Sequence, residues 1–340
     1  TGVQTCALPI YARKLDLVIL NHHSGKYHTL DCPYGNIAHD KVVIPKKQLP
    51  SNVKPCKFCH NSRYGNIKRV NFRKGIDIFE IPKLIQPPLI VSDGYLKVIN
   101  TDYTRNLIPN NRCETNVCKE FVKLVDNSNE TIDIAIYGYD DIPMITNALK
   151  RAKERGVKIR FVYDENYDSS KTYYKDNHII SKIAFESKND KTDSKTQSNM
   201  LMHNKFVIFD KNTVYTGSMN FSKAGLSGYD VNNIIIIQSK DVASLYTAEF
   251  EQMVSGKFHQ SKNKLNINNR FKIGNSEVEV YFSPKDKSSL RIVQLINNAK
   301  SYIYIPAFLI THKDIMQALI TAKSKGIDVR VIIDANSVST

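Results

Sequence analysis

Between Met202 and Ser222 the chain reads MHNKFVIFDKNTVYTGSMNFS, and His203, Lys205, Asp210, Gly217, Ser218 and Asn220 fall at the spacing H-x-K-x4-D-x6-G-S-x-N. On an extended strand, residues two apart share a face, so the His203 imidazole and the Lys205 ammonium are expected as neighbours. Asn204, Phe206 and Ile208 take the other face, whose apolar content predicts inward packing. Asp210 differs from His203 in parity and opens the turn signal DKN, which points to a structural or orienting role rather than contact with substrate. Gly217 permits a close backbone approach. Ser218 and Asn220 offer a hydroxyl and an amide that can hydrogen-bond phosphate oxygens. A nucleophile or acid–base group, a fixed cation and neutral donors together suit a phosphoryl centre, where developing negative charge must be stabilised.

Such a set needs a rigid frame. Val117, Phe121, Leu124 and Val125 follow helical spacing, TIDIAIYGY reads as a strand, and Ile145, Ala148, Leu149 and Ala152 mark an amphipathic helix. Gly156 closes that helix and VKIRFVYD is the next strand. ITNALKRAKERGVKIRFVYD (Ile145 to Asp164) then matches IMQALITAKSKGIDVRVIID (Ile315 to Asp334) at a constant offset of 170, with eight of twenty positions identical. Helix, turn and strand recurring without a gap predict a duplicated α/β domain. The polar stretch from Asn166 to Met200 reads as an exposed, mobile loop. NNIIIIQ and VASLYTAEFEQMV follow the motif as strand and helix.

The motif and its surroundings, MHNKF before and GYDVNNIIII with AEFEQM after, resemble the phospholipase D superfamily over about residues 90–340. The resemblance implies an α/β fold with a duplicated α-β-α domain, a mixed sheet flanked by helices. It also implies an enzyme, a phosphodiesterase that cleaves through a phosphohistidine without a catalytic metal. One motif histidine attacks phosphorus, a second from the other copy protonates the leaving oxygen, and water releases the product. His203, Lys205 and Asp210 are then the catalytic positions, with Lys205, Ser218 and Asn220 around the phosphate. Which histidine attacks stays open. Asn232-Asn233 stands where many relatives carry Glu-Asn, so no acid role is assigned there.

His203 follows Asp164 by 39 residues, and the same interval after Asp334 runs past Thr340. The second copy is therefore expected to be incomplete, cut before its own motif, and the 340-residue chain alone to be weakly active or inactive. The alternative is a single motif completed by homodimerisation, whereas a full-length chain with two repeats would act as a monomer. His312, in THKD, lacks a Gly-Ser-x-Asn tail and reads as a surface residue.

Ahead of this region, YHTLDCPY and KPCKFCH give His28-x3-Cys32-x23-Cys56-x2-Cys59. One His and three Cys at this spacing can supply four ligands to a structural zinc, and the pattern resembles small modules appended to bacterial nucleases and DNA-binding proteins. Haem attachment through Cys56-x2-Cys59-His60, free thiols and a disulfide are the competing readings. Cys113 and Cys118 are expected as reduced thiols unless the protein is exported.

Domain boundaries follow. Residues 1–10 resemble a translated sequencing adapter and are set aside. Residues 11–65 form the Cys/His module, 66–112 a connecting region whose short apolar stretches read as two strands, 113–260 the first domain, 261–276 a linker and 277–340 the start of the second copy. The composition, 41% hydrophobic and 24% charged over 340 residues, is that of globular domains. Net charge is +15, and Tyr11 to Arg112 holds 17 Lys/Arg against 7 Asp/Glu. This favours a polyanionic partner, nucleic acid or an anionic membrane surface. The balance leans to a nuclease, with a phospholipase or phosphatidyltransferase next and a non-catalytic nucleic-acid-binding protein third. No apolar run reaches the roughly 18–20 residues that span a bilayer.

Overall fold

The computed structural model describes residues 17–21, 24–28, 41–46, 49–57, 90–101, 109–165, 174–197 and 200–333. The chain divides into two compact units, residues 6–87 and residues 88–340.

In the first unit, β1 (Leu17–Asn21), β2 (Lys26–His28), β3 (Lys41–Pro45) and β4 (Lys54–Pro55) form a sheet in the order β3-β1-β2-β4. Val18, Ile19 and Leu20 are buried in it. Gly25, at φ +60°, turns the chain between β1 and β2, a conformation that glycine adopts without strain.

The second unit is built on eight strands: β5 (Ile90–Ser92), β6 (Leu96–Asn100), β7 (Thr131–Ile136), β8 (Lys158–Tyr163), β9 (Glu186–Asn189), β10 (Lys205–Phe209), β11 (Thr213–Gly217) and β12 (Asn233–Gln238). Their order is β5-β6-β12-β11-β10-β7-β8-β9. The β7-β8-β9 side is parallel and the remaining pairs are antiparallel, so the sheet is mixed. Two strands of the stretch read as a connecting region thus serve as one edge of this sheet.

Helices cover both faces. α1 (Asn116–Asn127), α2 (Pro143–Glu154) and α3 (Asn177–Ile183) pack on one face, and α5 (Lys240–Val254) on the other; the short α4 (Lys223–Leu226) follows the motif. Thr115 caps α1 by accepting the Cys118 N–H at 3.3 Å, and Pro143 opens α2, where its missing N–H costs nothing. Phe121 of α1 meets the rings of Phe221, Tyr215 and Phe209 edge-on at 4.7, 5.4 and 5.9 Å.

Because the sheet is covered twice, β10 buries alternate residues on opposite sides. Phe206 and Ile208 join the α5 core, while Val207 and Phe209 join the α1 core. The sequence reading of one inward face is corrected here: a central strand of a three-layer fold has no solvent face. The buried Asp133 of β7 is held by Arg160 of β8 through contacts of 2.7 and 2.8 Å, and Arg160 also reaches Glu251 of α5. A charge in that position is tolerated because it is paired.

Two further expectations are corrected. Cys113 and Cys118 are joined in a disulfide with Cα atoms 5.3 Å apart; the chain turns at Thr115 into the first turn of α1 and brings them together. The polar stretch from Asn166 to Met200 contains α3, β9 and a 3-10 turn at Asp190–Thr192, and buries Asn177, Asp190, Asp193 and Thr196. Its polar side chains are spent on backbone groups: Asp190 accepts the Glu165 N–H at 2.9 Å and Asp193 accepts the Phe258 N–H at 2.9 Å.

Beyond α5 comes the hairpin β13 (Arg270–Ile273) and β14 (Ser276–Glu279), then α6 (Ser288–Asn298), β15 (Tyr302–Ala307), α7 (Lys313–Ser324) and β16 (Asp328–Ile333). β15 and β16 pair in parallel, so the element order helix–strand–helix–strand of α1-β7-α2-β8 returns. Within 261–276, read as a linker, Lys262 is buried. It pairs with Glu249 of α5 and donates to the Ser283 carbonyl at 3.0 Å. No helix among the described residues is long and apolar enough to cross a membrane.

Candidate phosphoryl site at one end of the central sheet

β10 begins at Lys205, so His203 stands just ahead of the strand rather than on it. The reason is local. The Met202 N–H is taken by the Asp164 carboxylate at 2.7 Å, not by a neighbouring strand. His203 and Lys205 still meet on one group. The His203 ring packs edge-on against Tyr137 at 4.8 Å, and the Lys205 Nζ lies 5.4 Å from the centre of the same ring. Lys205 also donates to the His203 carbonyl at 3.1 Å.

Tyr137, directly after β7, was not read as a site residue because it closes an apolar strand; its signal is an aromatic at a strand end followed by glycine. It meets Tyr174 at 5.4 Å, nearly perpendicular. Gly138 makes that possible, since a Cβ there would lie 2.1 Å from the Tyr174 ring.

His203 keeps an exposed edge, yet the partial loss of hydration around it, and then the charge of Lys205, push its imidazole down to about 4. Enclosure alone brings the Lys205 ammonium down to about 8. Near neutral pH the pair is therefore a neutral imidazole with a free lone pair beside a charged ammonium.

The register of β10 and β11 brings the second half of the motif to the same sheet end. Phe206 pairs with Thr216, whose hydroxyl donates to the Lys205 carbonyl at 3.0 Å, so Gly217 lies across from Lys205. A Cβ at Gly217 would sit 2.1 Å from the Asn233 carbonyl oxygen; only glycine lets β11 and β12 close here. The Ser218 hydroxyl donates to Asn232 Oδ1 at 2.9 Å and accepts the Asn233 N–H at 3.2 Å. The Asn220 side chain places its Oδ1 in a buried position with no hydrogen-bond partner among the described residues.

Asp210 lies at the other end of β10, five strand residues or about 17 Å away. Its carboxylate accepts the N–H groups of Asn129, Glu130 and Thr131 at 2.8 to 3.2 Å and so anchors the start of β7, at a backbone φ of 49°.

Beside His203 opens a cavity of about 460 Å³, bounded by residues 200–204, the turn after α5 and the Tyr281–Pro284 segment. In the other unit, the Cys56 N–H donates to the Tyr27 carbonyl at 2.8 Å. The parallel register of Tyr27 with Pro55, carried one residue further, sets His28 beside Cys56; both are buried. Cys32 and Cys59 lie outside the described residues.

Comparison with known proteins bears on this geometry. The family described as "Cardiolipin synthase, PLD-like domain" matches residues 121–254 and 292–340, together more than half of the chain. A "Phospholipase D" of Rickettsia conorii is 32% identical over 130 residues, 38% of this chain and 60% of that protein. The human "Mitochondrial cardiolipin hydrolase" is 25% identical over 126 residues, 36% of this chain and 45% of that protein. The chain thus spans at most about three fifths of the length of these two relatives. Among solved structures, Nuc of Salmonella typhimurium, a phospholipase D family member, aligns with 46% of this chain and 93% of its own at 22% identity and a TM-score of 0.34.

Proposed function

This chain belongs to the phospholipase D superfamily, and on that premise we propose that it is a phosphodiesterase whose His203 attacks phosphorus and carries a phosphohistidine. The observation that carries this reading is the shared seat of His203 and Lys205 on Tyr137, with the imidazole held neutral. The His203 lone pair forms the nitrogen–phosphorus bond as the bond to the leaving oxygen breaks. A second acid protonates that oxygen, and water then attacks the phosphohistidine and restores the imidazole. Lys205 supplies the charge that offsets the oxygens in the transition state, and Asn220 and Ser218 flank it. The test is turnover of bis(4-nitrophenyl) phosphate with chelator present, in the native chain and in His203→Ala. Loss of turnover in the variant, and indifference to chelator, are the expected results; unchanged turnover in His203→Ala would sink the reading.

Two substrate classes compete. Nucleic acid is supported by the excess of 17 Lys/Arg over 7 Asp/Glu between Tyr11 and Arg112. Phospholipid is supported by relatives named for phospholipase D and cardiolipin hydrolase activity. The charge excess favours nucleic acid. Competing single-stranded DNA, double-stranded DNA and phosphatidylcholine as substrates decides between them.

The domain duplication is likewise a proposal. It is supported by the returning element order and by eight identities at offset 170. The second acid comes either from such a repeat or from a second copy of the chain. A structural zinc held by His28, Cys32, Cys56 and Cys59 is proposed for the amino-terminal unit, and the placement of His28 beside Cys56 supports it.

A further inference from the structure

Asp164 follows β8 and is 2% exposed. Its Oδ2 holds the Met202 N–H at 2.7 Å, one residue ahead of His203. It belongs to a knot of buried acids that bind chain segments by their backbone N–H groups. Asp190 accepts from Glu165 at 2.9 Å and lies 3.2 Å from His259 Nε2. Asp193 accepts from Phe258 at 2.9 Å and from Lys195 at 3.0 Å. The end of β8, the 3-10 turn Asp190–Thr192, the turn His259–Ser261 and the run into β10 are therefore tied at one place.

We propose that Asp164 is a positioning residue for His203: by holding the Met202 N–H it sets the path along which the chain delivers the imidazole to Tyr137 and the phosphate. This rests on the reading of His203 as the reacting group. Residues 201–204 lie outside the ladder of β10, so the register of the sheet does not fix them. The side-chain carboxylate does, and a hydrogen bond to a charged acceptor is roughly twice as strong as one to a neutral acceptor. The groups facing Asp164 are Asp190, Glu165 and His259. Burial first, and then the Asp190 charge, push its carboxyl up to about 7, against the opposing pull of the Met202 N–H and His259. The hold on Met202 is accordingly tight above that pH and loosens as the pH falls through it. The same aspartate recurs as Asp334 at the 170-residue offset, so the position was visible in the sequence without a role attached.

The experiment follows the imidazole Cε1–H resonance of His203 by NMR against pH, assigned by its absence in His203→Ala, in the native chain and in Asp164→Asn. The native resonance is expected to shift with a midpoint near that of Asp164, and the asparagine variant to lose this step while keeping the later one from Lys205. A flat native resonance in that range, or a step that survives in Asp164→Asn, overturns the proposal. Turnover of bis(4-nitrophenyl) phosphate gives the second readout. Asp164→Asn should lower kcat on the order of 10-fold, with KM unchanged and the acid-side step near neutral pH lost. Native kcat in that variant would also overturn it. Turnover by His203→Ala at the native rate would defeat the phosphohistidine reading instead, while the resonance comparison would still decide whether Asp164 holds His203.

Discussion

At the scale of single residues, the two ends of β10 divide the motif by role. His203 and Lys205 share Tyr137 at one end, and Asp210 gathers three backbone N–H groups at the other. Replacing Asp210 with alanine should lower stability by roughly 1.5–3 kcal/mol, the range for hydrogen bonds to a charged group. It should lower Tm far more than kcat of the folded protein. Thermal unfolding alongside kinetics measures both, and a large kcat loss at native Tm would return Asp210 to the chemistry. The pH profile follows from the other end. In the proposed mechanism attack requires neutral His203, so activity should fall as pH drops through about 4. Phosphate binding requires charged Lys205, so it should also fall as pH rises through about 8. The range between should be broken by the Asp164 step near 7. A basic limb unmoved by Lys205→Arg would show that another group sets it.

At the scale of elements, the site exists because β7, β10, β11 and β12 bring their ends together. Gly217 and Gly138 are tight points of that junction. Gly217→Ala should force β11 from β12 at a cost of roughly 1–3 kcal/mol and reduce kcat on the order of 10-fold by displacing Ser218 and Asn220. Circular dichroism with steady-state kinetics checks it, and native values in both would mean the strands absorb the methyl. Much of this frame could be read in advance. The helices around Phe121 and Ala148 and the strands at Ile134 and Phe161 carry their periods openly. α3 and the turn that follows β9 do not, because Asn177, Asp190 and Asp193 are buried by satisfying backbone groups, and a polar composition then looks the same as a loop. Tyr137 stayed hidden for the opposite reason, as one more apolar-looking residue after a strand. The contact of Lys205 with Tyr137 and the close approach of Gly217 to the Asn233 carbonyl follow from sheet register, Lys205 opposite Ile136 and Gly217 opposite Ile234, which no local pattern encodes.

At the scale of the whole molecule, a basic amino-terminal unit and the candidate phosphoryl site belong to separate compact units. Zinc should be present at about one per chain, bound with the high affinity usual for a structural site. A strong chelator should unfold the sheet β1–β4 of the amino-terminal unit while leaving phosphodiester cleavage intact. Metal analysis and limited proteolysis test the first part, and chelator-sensitive turnover would contradict the second. The complete cycle, attack at one histidine and release by water, makes the most direct demand. The chain is mixed with a phosphodiester radiolabelled at phosphorus, quenched at alkaline pH where phosphohistidine survives, and digested for mass spectrometry. The label should be found on His203 and be missing from His203→Ala, which should not turn over. Label on any other residue, or full turnover by His203→Ala, would contradict the account.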